Sequence, residues 1–107
     1  MAFSGRTPIS ILLIEDNPAD RRLAEIALDE AARDGNLTCD LRTAATLAEG
    51  LACLAGTVCN GVLIDLDLPD SKGLDGVRQL YAAHPDVPLV VLTGLSDQSL
   101  TMEALNA

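Results

Sequence analysis

Short, continuous runs of apolar residues alternate along this chain with longer segments of helical pattern. Residues 9–14 read ISILLI, residues 62–64 read VLI, and residues 89–92 read LVVL. A continuous apolar run of strand length is typical of a strand that is covered on both faces. Strands that alternate with helices predict a parallel sheet joined by right-handed crossovers. We therefore expect an α/β protein with a doubly wound sheet, in which helices lie on both faces.

The segment after the first apolar run is predicted to be a helix. Asn17 can cap a helix N-terminus, Pro18 suits the first helical position, and Gly35 is a typical helix terminator. The pattern predicts that one face of this helix is buried in the core. The residues of that predicted face are Leu23, Ile26, Ala27 and Ala31.

Similar patterns predict the remaining elements. Leu37, Cys39 and Leu41 alternate with polar residues, which predicts a half-exposed strand at a sheet edge. Thr46 and Glu49 form a capping-box pattern that opens a second helix. The other predicted elements are a loop at residues 66–73, a third helix around residues 74–81 and a fourth helix at residues 96–107.

The composition narrows the class of protein. A chain of 107 residues is expected to form one domain. Its formal net charge of −9 argues against direct binding of nucleic acid, because phosphate contacts need a surface rich in Lys and Arg. The three cysteines are expected to be free core residues in a reducing compartment. Neither a signal peptide nor a membrane helix is expected, so a cytoplasmic location is predicted.

Polar side chains follow several of the predicted strands. Glu15 and Asp16 come after the first strand, Asp65 ends the third, and Thr93 follows the fourth. Ligands of doubly wound sheets bind beyond the carboxyl ends of the strands, so we expect these side chains to meet at one edge. Carboxylates crowded in this way cost free energy unless a cation compensates them. Oxygen ligands without His or Cys favour a hard ion, and the pattern therefore predicts a site for Mg²⁺ or Mn²⁺.

Several motifs, taken together, resemble a known family. The stretches ILLIEDNPADRRL, VLIDLDLPDSKGLDG and PLVVLTG are similar, in order and spacing, to the receiver domain of bacterial two-component response regulators. The resemblance implies a flavodoxin-like fold of the (βα)5 type, with the strand order 2-1-3-4 for the (βα)4 part found here. It also implies that residues 1–107 are a receiver domain that lacks the C-terminal fifth strand, its terminal lysine and the fifth helix.

The resemblance also implies roles for individual residues. Asp65 would accept a phosphoryl group from a histidine kinase or a histidine phosphotransfer protein. Glu15, Asp16, Asp65 and the backbone carbonyl of Asp67 would bind Mg²⁺, and Thr93 would hydrogen-bond a phosphoryl oxygen as part of a switch. The chain would be no enzyme beyond its own phosphorylation and dephosphorylation, and it would signal to an output domain that the sequence does not identify.

Two alternatives remain open at this point. The stretch LIDLDLP also resembles the first motif of haloacid-dehalogenase-type phosphatases, in which Asp65 would be the nucleophile and Asp67 the general acid. A receiver-like fold could also serve as an interaction module without phosphorylation. In a receiver domain that lacks its fifth strand, the fourth strand would be an exposed apolar edge through which two chains could dimerise.

Overall fold

The computed structural model describes residues 8–92 and 100–101. Its helices are α1 (Pro18–Asp34), α2 (Leu47–Gly56) and α3 (Asp75–Ala83). Its strands are β1 (Pro8–Ile14), β2 (Thr38–Ala44), β3 (Gly61–Asp65), β4 (Asp67–Leu68), β5 (Ser71–Lys72), β6 (Leu89–Leu92) and β7 (Leu100–Thr101). From β1 to β6, the order of the long elements confirms the predicted alternation of strands and helices.

The main sheet has the strand order β2-β1-β3-β6-β7. The strands β2, β1, β3 and β6 are parallel: Ile14 lies opposite both Ala44 and Ile64, and Asp65 lies opposite Leu92. Because β6 is the fourth strand of the sequence prediction, this arrangement confirms the order 2-1-3-4 and the doubly wound architecture. The half-exposed β2 forms one edge of the sheet, as the alternation of its residues predicted.

Capping side chains determine where α1 and α2 begin. The side-chain oxygen of Asn17 accepts hydrogen bonds from the backbone N–H groups of Ala19 and Asp20. The hydroxyl of Thr46 accepts a hydrogen bond from the backbone N–H of Glu49. Each cap satisfies N–H groups that have no partner within the helix. Both predicted helix starts are thereby confirmed.

The two faces of the sheet carry unequal cores. On one face, α2 and α3 enclose a large cluster of buried aliphatic side chains. On the other face lies α1, where Leu13, Ala24 and Leu92 form a much smaller buried cluster. The close approach of α2 to β1 depends on Gly50, because a Cβ atom at this position would collide with the side chain of Ile14.

The buried face of α1 differs from the predicted one. Leu23 and Ile26 are exposed, and the buried residues of the helix are Ala24 and Ala32. Leu28 continues this inner face between the two alanines and is half-buried. The predicted face, which contained Leu23 and Ile26, is therefore wrong. Small alanines let the helix lie close to the sheet, and this turns the larger side chains outward.

Residues 66–73, which were predicted to be a loop, contain a short antiparallel hairpin. Asp67 of β4 lies opposite Lys72 of β5, and a tight turn joins the two strands. Leu68 is fully buried and anchors the hairpin to the core. Gly73 follows with a φ of 60°, a conformation that glycine adopts without a steric penalty. Strands as short as β4 and β5 carry too few residues for an alternating pattern to reveal them.

The chain after β6 departs from the predicted fourth helix where it is described. Leu100–Thr101 form β7, which pairs antiparallel with Val91 and Leu92. The helix prediction is wrong at these residues, because free backbone groups on the β6 edge favour strand pairing. The predicted exposed edge is thus paired within the chain at Val91 and Leu92. The rest of the predicted helix lies outside the described residues.

All cysteines of the chain lie in the described part and are free, as predicted. Cys59 is buried, whereas Cys39 and Cys53 are half-buried. Burial raises the pKa of the Cys59 thiol, which keeps it in its unreactive protonated form.

Among the helices of residues 8–92, none has both the length and the apolar character that crossing a membrane would require.

Candidate functional site

The carboxyl ends of β1, β3 and β6 meet at one edge of the sheet. Glu15 and Asp16 directly follow β1, and Asp65 is the last residue of β3. Leu92, the last residue of β6, lies opposite Asp65 in the sheet register. Thr93 follows Leu92 in the chain but lies outside the described residues, so its role stays a prediction.

Glu15, Asp16 and Asp65 form a compact group, which we call the acidic cluster. Each residue offers one carboxylate oxygen, and these oxygens lie within 4.8 Å of one another. Glu15 is only 2% exposed, Asp65 is half-buried and Asp16 is exposed. The fold has therefore brought together side chains from two distant parts of the chain. Glu15 forms the buried side of the cluster, and Asp16 faces the solvent.

The backbone around Glu15 holds this residue in the acidic cluster. Its backbone N–H donates a hydrogen bond of 2.9 Å to the carbonyl of Ala44, at the end of β2. Its carboxylate oxygen Oε2 accepts a hydrogen bond of 3.1 Å from the backbone N–H of Asn17. Asn17, which caps α1, thus also orients the most deeply buried carboxylate of the cluster.

Burial changes the protonation of Glu15. It raises the pKa of this carboxyl from 4.5 to about 7, because an ionised carboxylate loses its hydration in this position. The hydrogen bond from the Asn17 N–H lowers this pKa, and the nearby negative charge of Asp65 raises it. Around neutral pH, Glu15 in the isolated domain is therefore a mixture of protonated and ionised forms.

The same physical cause acts on Asp65. Burial raises the pKa of this carboxyl above its ordinary value. The backbone N–H of Asp67 and the side chain of Glu15 act in the opposite direction, because their hydrogen bonds favour the ionised form. The fold thus holds two acids in a place where their negative charges are costly. A cation placed between them would relieve that cost.

No side chain of the chain supplies this cation within residues 8–92, where no ion pair involves Glu15, Asp16 or Asp65. Arg21 approaches the cluster, but its guanidinium lies 3.4 Å from the backbone carbonyl of Glu15 rather than pairing with a carboxylate. Carboxylate oxygens without nitrogen or sulfur ligands form the donor set that hard divalent cations prefer. The acidic cluster therefore fits a cation such as Mg²⁺.

Asp67 lies beside the cluster but directs its side chain elsewhere. Its carboxylate forms an ion pair of 2.7 Å with the ammonium group of Lys72, and both side chains are largely exposed. The only lysine of the chain therefore lies next to the acidic cluster without pairing with it. The metal-binding role of the Asp67 backbone carbonyl remains a prediction.

Asp70 has a role that the sequence analysis missed. Its carboxylate accepts hydrogen bonds from the backbone N–H of Leu47, at 2.8 Å, and of Ala48, at 2.9 Å. These bonds hold the pKa of Asp70 below its ordinary value. Asp70 therefore caps α2 from the turn of the β4–β5 hairpin. A cap that acts across more than twenty positions leaves no local pattern, and a turn aspartate was its only sequence signal.

Comparisons with known proteins identify the family of this chain. The sequence model of the response regulator receiver domain matches residues 11–107. The response regulator protein PilR of Pseudomonas aeruginosa is 32% identical over 90% of this chain. The KDP operon transcriptional regulatory protein KdpE of Escherichia coli is 34% identical over 92% of this chain. This chain spans 20% of PilR and 40% of KdpE.

The fold is also shared with solved structures. The response regulator TrrA of Thermotoga maritima, solved in complex with Mg²⁺-BeF, superposes with a TM-score of 0.68 at 24% identity. The superposition covers 79% of this chain and 69% of TrrA. The family match extends over nearly the whole chain, and the parallel sheet and its acidic edge agree with it. This chain belongs to the response regulator receiver domain family.

Proposed function

We propose that Asp65 is the phosphoacceptor of this receiver domain and that it takes its phosphoryl group from a phosphohistidine of a partner protein. The observation that supports this most directly is the acidic cluster, whose oxygens lie within 4.8 Å of one another. Among residues 8–92 the cluster has no side-chain cation. Asp65 differs from Asp70, whose carboxylate accepts two backbone N–H groups of α2, because Asp65 lies among other carboxylates.

The same residues support a role for a divalent cation. We propose that Glu15, Asp16, Asp65 and the backbone carbonyl of Asp67 hold Mg²⁺, because oxygen-only donors suit a hard ion. When bound, the cation would offset the negative charge of the carboxylates and of the incoming phosphoryl group. The complex of TrrA with Mg²⁺-BeF is consistent with this proposal, since TrrA shares the fold.

In the proposed reaction, a carboxylate oxygen of Asp65 attacks the phosphorus atom of the phosphohistidine. The new bond joins this oxygen to phosphorus, and the bond between phosphorus and the imidazole nitrogen breaks. The imidazole keeps the electron pair of the broken bond and takes up a proton. Asp65 must be ionised to attack, and the N–H of Asp67 favours that form.

Thr93 is proposed to hydrogen-bond an oxygen of the phosphoryl group once it is on Asp65. The register of the sheet supports this role, because Leu92 lies opposite Asp65 and Thr93 is the next residue. A hydrogen bond that forms only in the phosphorylated state would bias the chain after β6 toward one of two conformations. Such a bias is the output that a receiver domain needs.

The proposed partners follow from this chemistry. A histidine kinase or a histidine phosphotransfer protein would donate the phosphoryl group, and an output domain would respond to it. The regulators PilR and KdpE are much longer than the part this chain spans, which is consistent with such a domain. We propose that the chain acts on no other substrate and catalyses only the gain and loss of its own phosphoryl group. Its net charge of −9 supports leaving nucleic-acid contacts to a partner or output domain.

The phosphatase alternative finds no support. In that mechanism the carboxyl of Asp67 would donate a proton to a leaving group at Asp65. Instead, this carboxylate is largely exposed and pairs with Lys72. The family match over residues 11–107 is to the receiver domain.

The proposal can be tested by intact-mass measurement after incubation with Mg²⁺ and acetyl phosphate. The wild-type chain is expected to gain the mass of one phosphoryl group, and Asp65→Asn is expected to gain none. Asp86→Asn provides a matched control, because it makes the same change at an exposed position. Asp86 precedes the N-terminal end of β6, whereas the acidic cluster lies at the carboxyl ends of the strands. Equal labelling of the wild type and Asp65→Asn would contradict the proposed role of Asp65.

A further inference from the structure

We propose that Asp70 is a positioning residue of the phosphoacceptor site. It holds the β4–β5 hairpin against the N-terminus of α2, so that Asp65 and the carbonyl of Asp67 face Glu15. The inference rests on the proposed function of the acidic cluster, which it deepens by naming a residue that acts through the others.

The hairpin is a continuation of the strand that carries the phosphoacceptor. Asp65 ends β3, Asp67 begins β4, and Asp70 lies in the turn that joins β4 to β5. The base of the hairpin is closed by a hydrogen bond of 2.9 Å from the backbone N–H of Gly73 to the carbonyl of Leu66. A movement of the turn is therefore transmitted to the residues that flank Asp65.

The segment whose N–H groups bond to Asp70 also contacts Glu15, which belongs to the acidic cluster. The carbonyl of Ala44, at the end of β2, accepts the backbone N–H of Glu15 at 2.9 Å. Only a short connection separates Ala44 from Leu47 and Ala48, whose N–H groups bond the carboxylate of Asp70. This junction between β2 and α2 therefore contacts the backbone of Glu15 on one side and the hairpin turn on the other. Asp70 therefore connects the hairpin that follows Asp65 with the segment that contacts Glu15.

Capping alone does not explain why a carboxylate from another loop is used. The start of α2 already has a local cap, because the hydroxyl of Thr46 accepts the N–H of Glu49. What Asp70 adds is a connection between two loops, with one carboxylate oxygen for each of two N–H donors. An asparagine would keep one acceptor and present its NH₂ group to the other donor, so the tether would be weakened rather than lost.

This difference provides a matched pair of variants. Asp70→Ala and Thr46→Ala each remove a side-chain cap from the same end of α2, but only Asp70→Ala releases the hairpin. The first readout is hydrogen exchange of the Gly73 amide, which reports the hairpin directly and requires no metal. The second readout is the dissociation constant for Mg²⁺ of the folded chain, measured by titration calorimetry.

In Asp70→Ala, the Gly73 amide is expected to exchange at least about 10-fold faster than in the wild type. Its dissociation constant for Mg²⁺ is expected to rise by about 10-fold, which is typical for the loss of a residue that supports metal ligands. In Thr46→Ala, both quantities are expected to stay within about twofold of wild type, and Asp70→Asn should lie between the two variants.

Equal effects of Asp70→Ala and Thr46→Ala would overturn the inference, because they would show that only helix stability matters. Unchanged Gly73 exchange and Mg²⁺ affinity in Asp70→Ala would overturn it as well. A failure of the proposed phosphoacceptor function gives a different result. In that case the wild type binds Mg²⁺ but gains no phosphoryl mass, and the comparison of the two variants still decides the role of Asp70.

Discussion

Asp65 and Asp70 lie close together in the chain, yet the fold places them in opposite environments. Asp70 is exposed, and two backbone N–H groups of α2 donate to its carboxylate. Asp65 is half-buried, and its neighbours in the acidic cluster are the carboxylates of Glu15 and Asp16. The pKa of Asp70 is lowered by its hydrogen bonds, whereas burial raises the pKa of Asp65.

The comparison shows how a structural carboxylate differs from one that forms a site. The negative charge of Asp70 is stabilised entirely by donors within the fold. Glu15 and Asp65 each accept a backbone N–H as well, but no cationic side chain among residues 8–92 pairs with the acidic cluster. We therefore expect a cation from outside the chain to offset its negative charge. Both residues are aspartates, so residue type does not distinguish a structural carboxylate from a site carboxylate. The groups that surround each carboxylate distinguish them, and these groups predict opposite responses to pH and to cations.

The largest effect on stability is expected from Glu15 in the absence of divalent cations. Its pKa is raised from 4.5 to about 7 in the folded chain. The folded state therefore binds this proton more tightly than the unfolded state does. The resulting stabilisation is fully present below pH 4.5 and is lost as the pH rises through about 7. Urea unfolding in a chelator should show a decrease of the order of 1–3 kcal/mol between about pH 5 and about pH 8.

The control for this prediction is Glu15→Gln, which resembles the protonated acid at every pH. The variant should lose the part of the pH dependence that arises from Glu15. It should also be more stable than the wild type above about pH 7. Parallel pH profiles for the two chains would show that burial of Glu15 is not the cause.

A smaller effect of opposite sign is expected from Asp70. Asp70→Ala should lower the free energy of unfolding by about 1 kcal/mol at neutral pH, as is typical for loss of a helix cap. Since its pKa lies below the ordinary value of 3.8, this contribution is present above that pH and is lost at lower pH. The difference between wild type and Asp70→Ala should therefore close as the pH falls below 3.8. A difference that stays constant down to low pH would contradict the ionic character of this cap.

The smallest effect is expected from Lys72, whose ion pair with Asp67 is exposed to solvent. Exposed ion pairs of this kind contribute little to stability. Lys72→Ala should leave the midpoint of thermal unfolding unchanged within error, and its dissociation constant for Mg²⁺ should stay within about twofold of wild type. A change as large as that of Asp70→Ala would mean that Lys72 belongs to the site.

The sheet and the membership of the acidic cluster could be predicted because both follow from local patterns. The apolar runs of β1, β3 and β6 differ clearly from the helical segments between them. Once those strands are parallel, the residues after them must meet at one edge. The caps Asn17 and Thr46 are equally local, since each bonds to residues of the helix that it begins.

The features that could not be predicted depend on packing between distant segments. The inner face of α1 consists of Ala24 and Ala32, while the larger Leu23 and Ile26 are exposed, so hydrophobicity alone selects the wrong face. The β7 strand exists through pairing with the edge of β6, which its own residues do not specify. The bonds of Asp70 to Leu47 and Ala48 likewise require the tertiary fold.

A cation is expected to complete the acidic cluster, and unfolding with and without Mg²⁺ tests this expectation most directly. In a chelator at about pH 8, Asp65→Asn should be more stable than the wild type, because one of the crowded charges is removed. With Mg²⁺ at about 100 times its dissociation constant, the wild type should gain about 2–3 kcal/mol and Asp65→Asn much less. If Mg²⁺ instead stabilised both chains equally, or neither of them, the acidic cluster would not be a metal site that depends on Asp65.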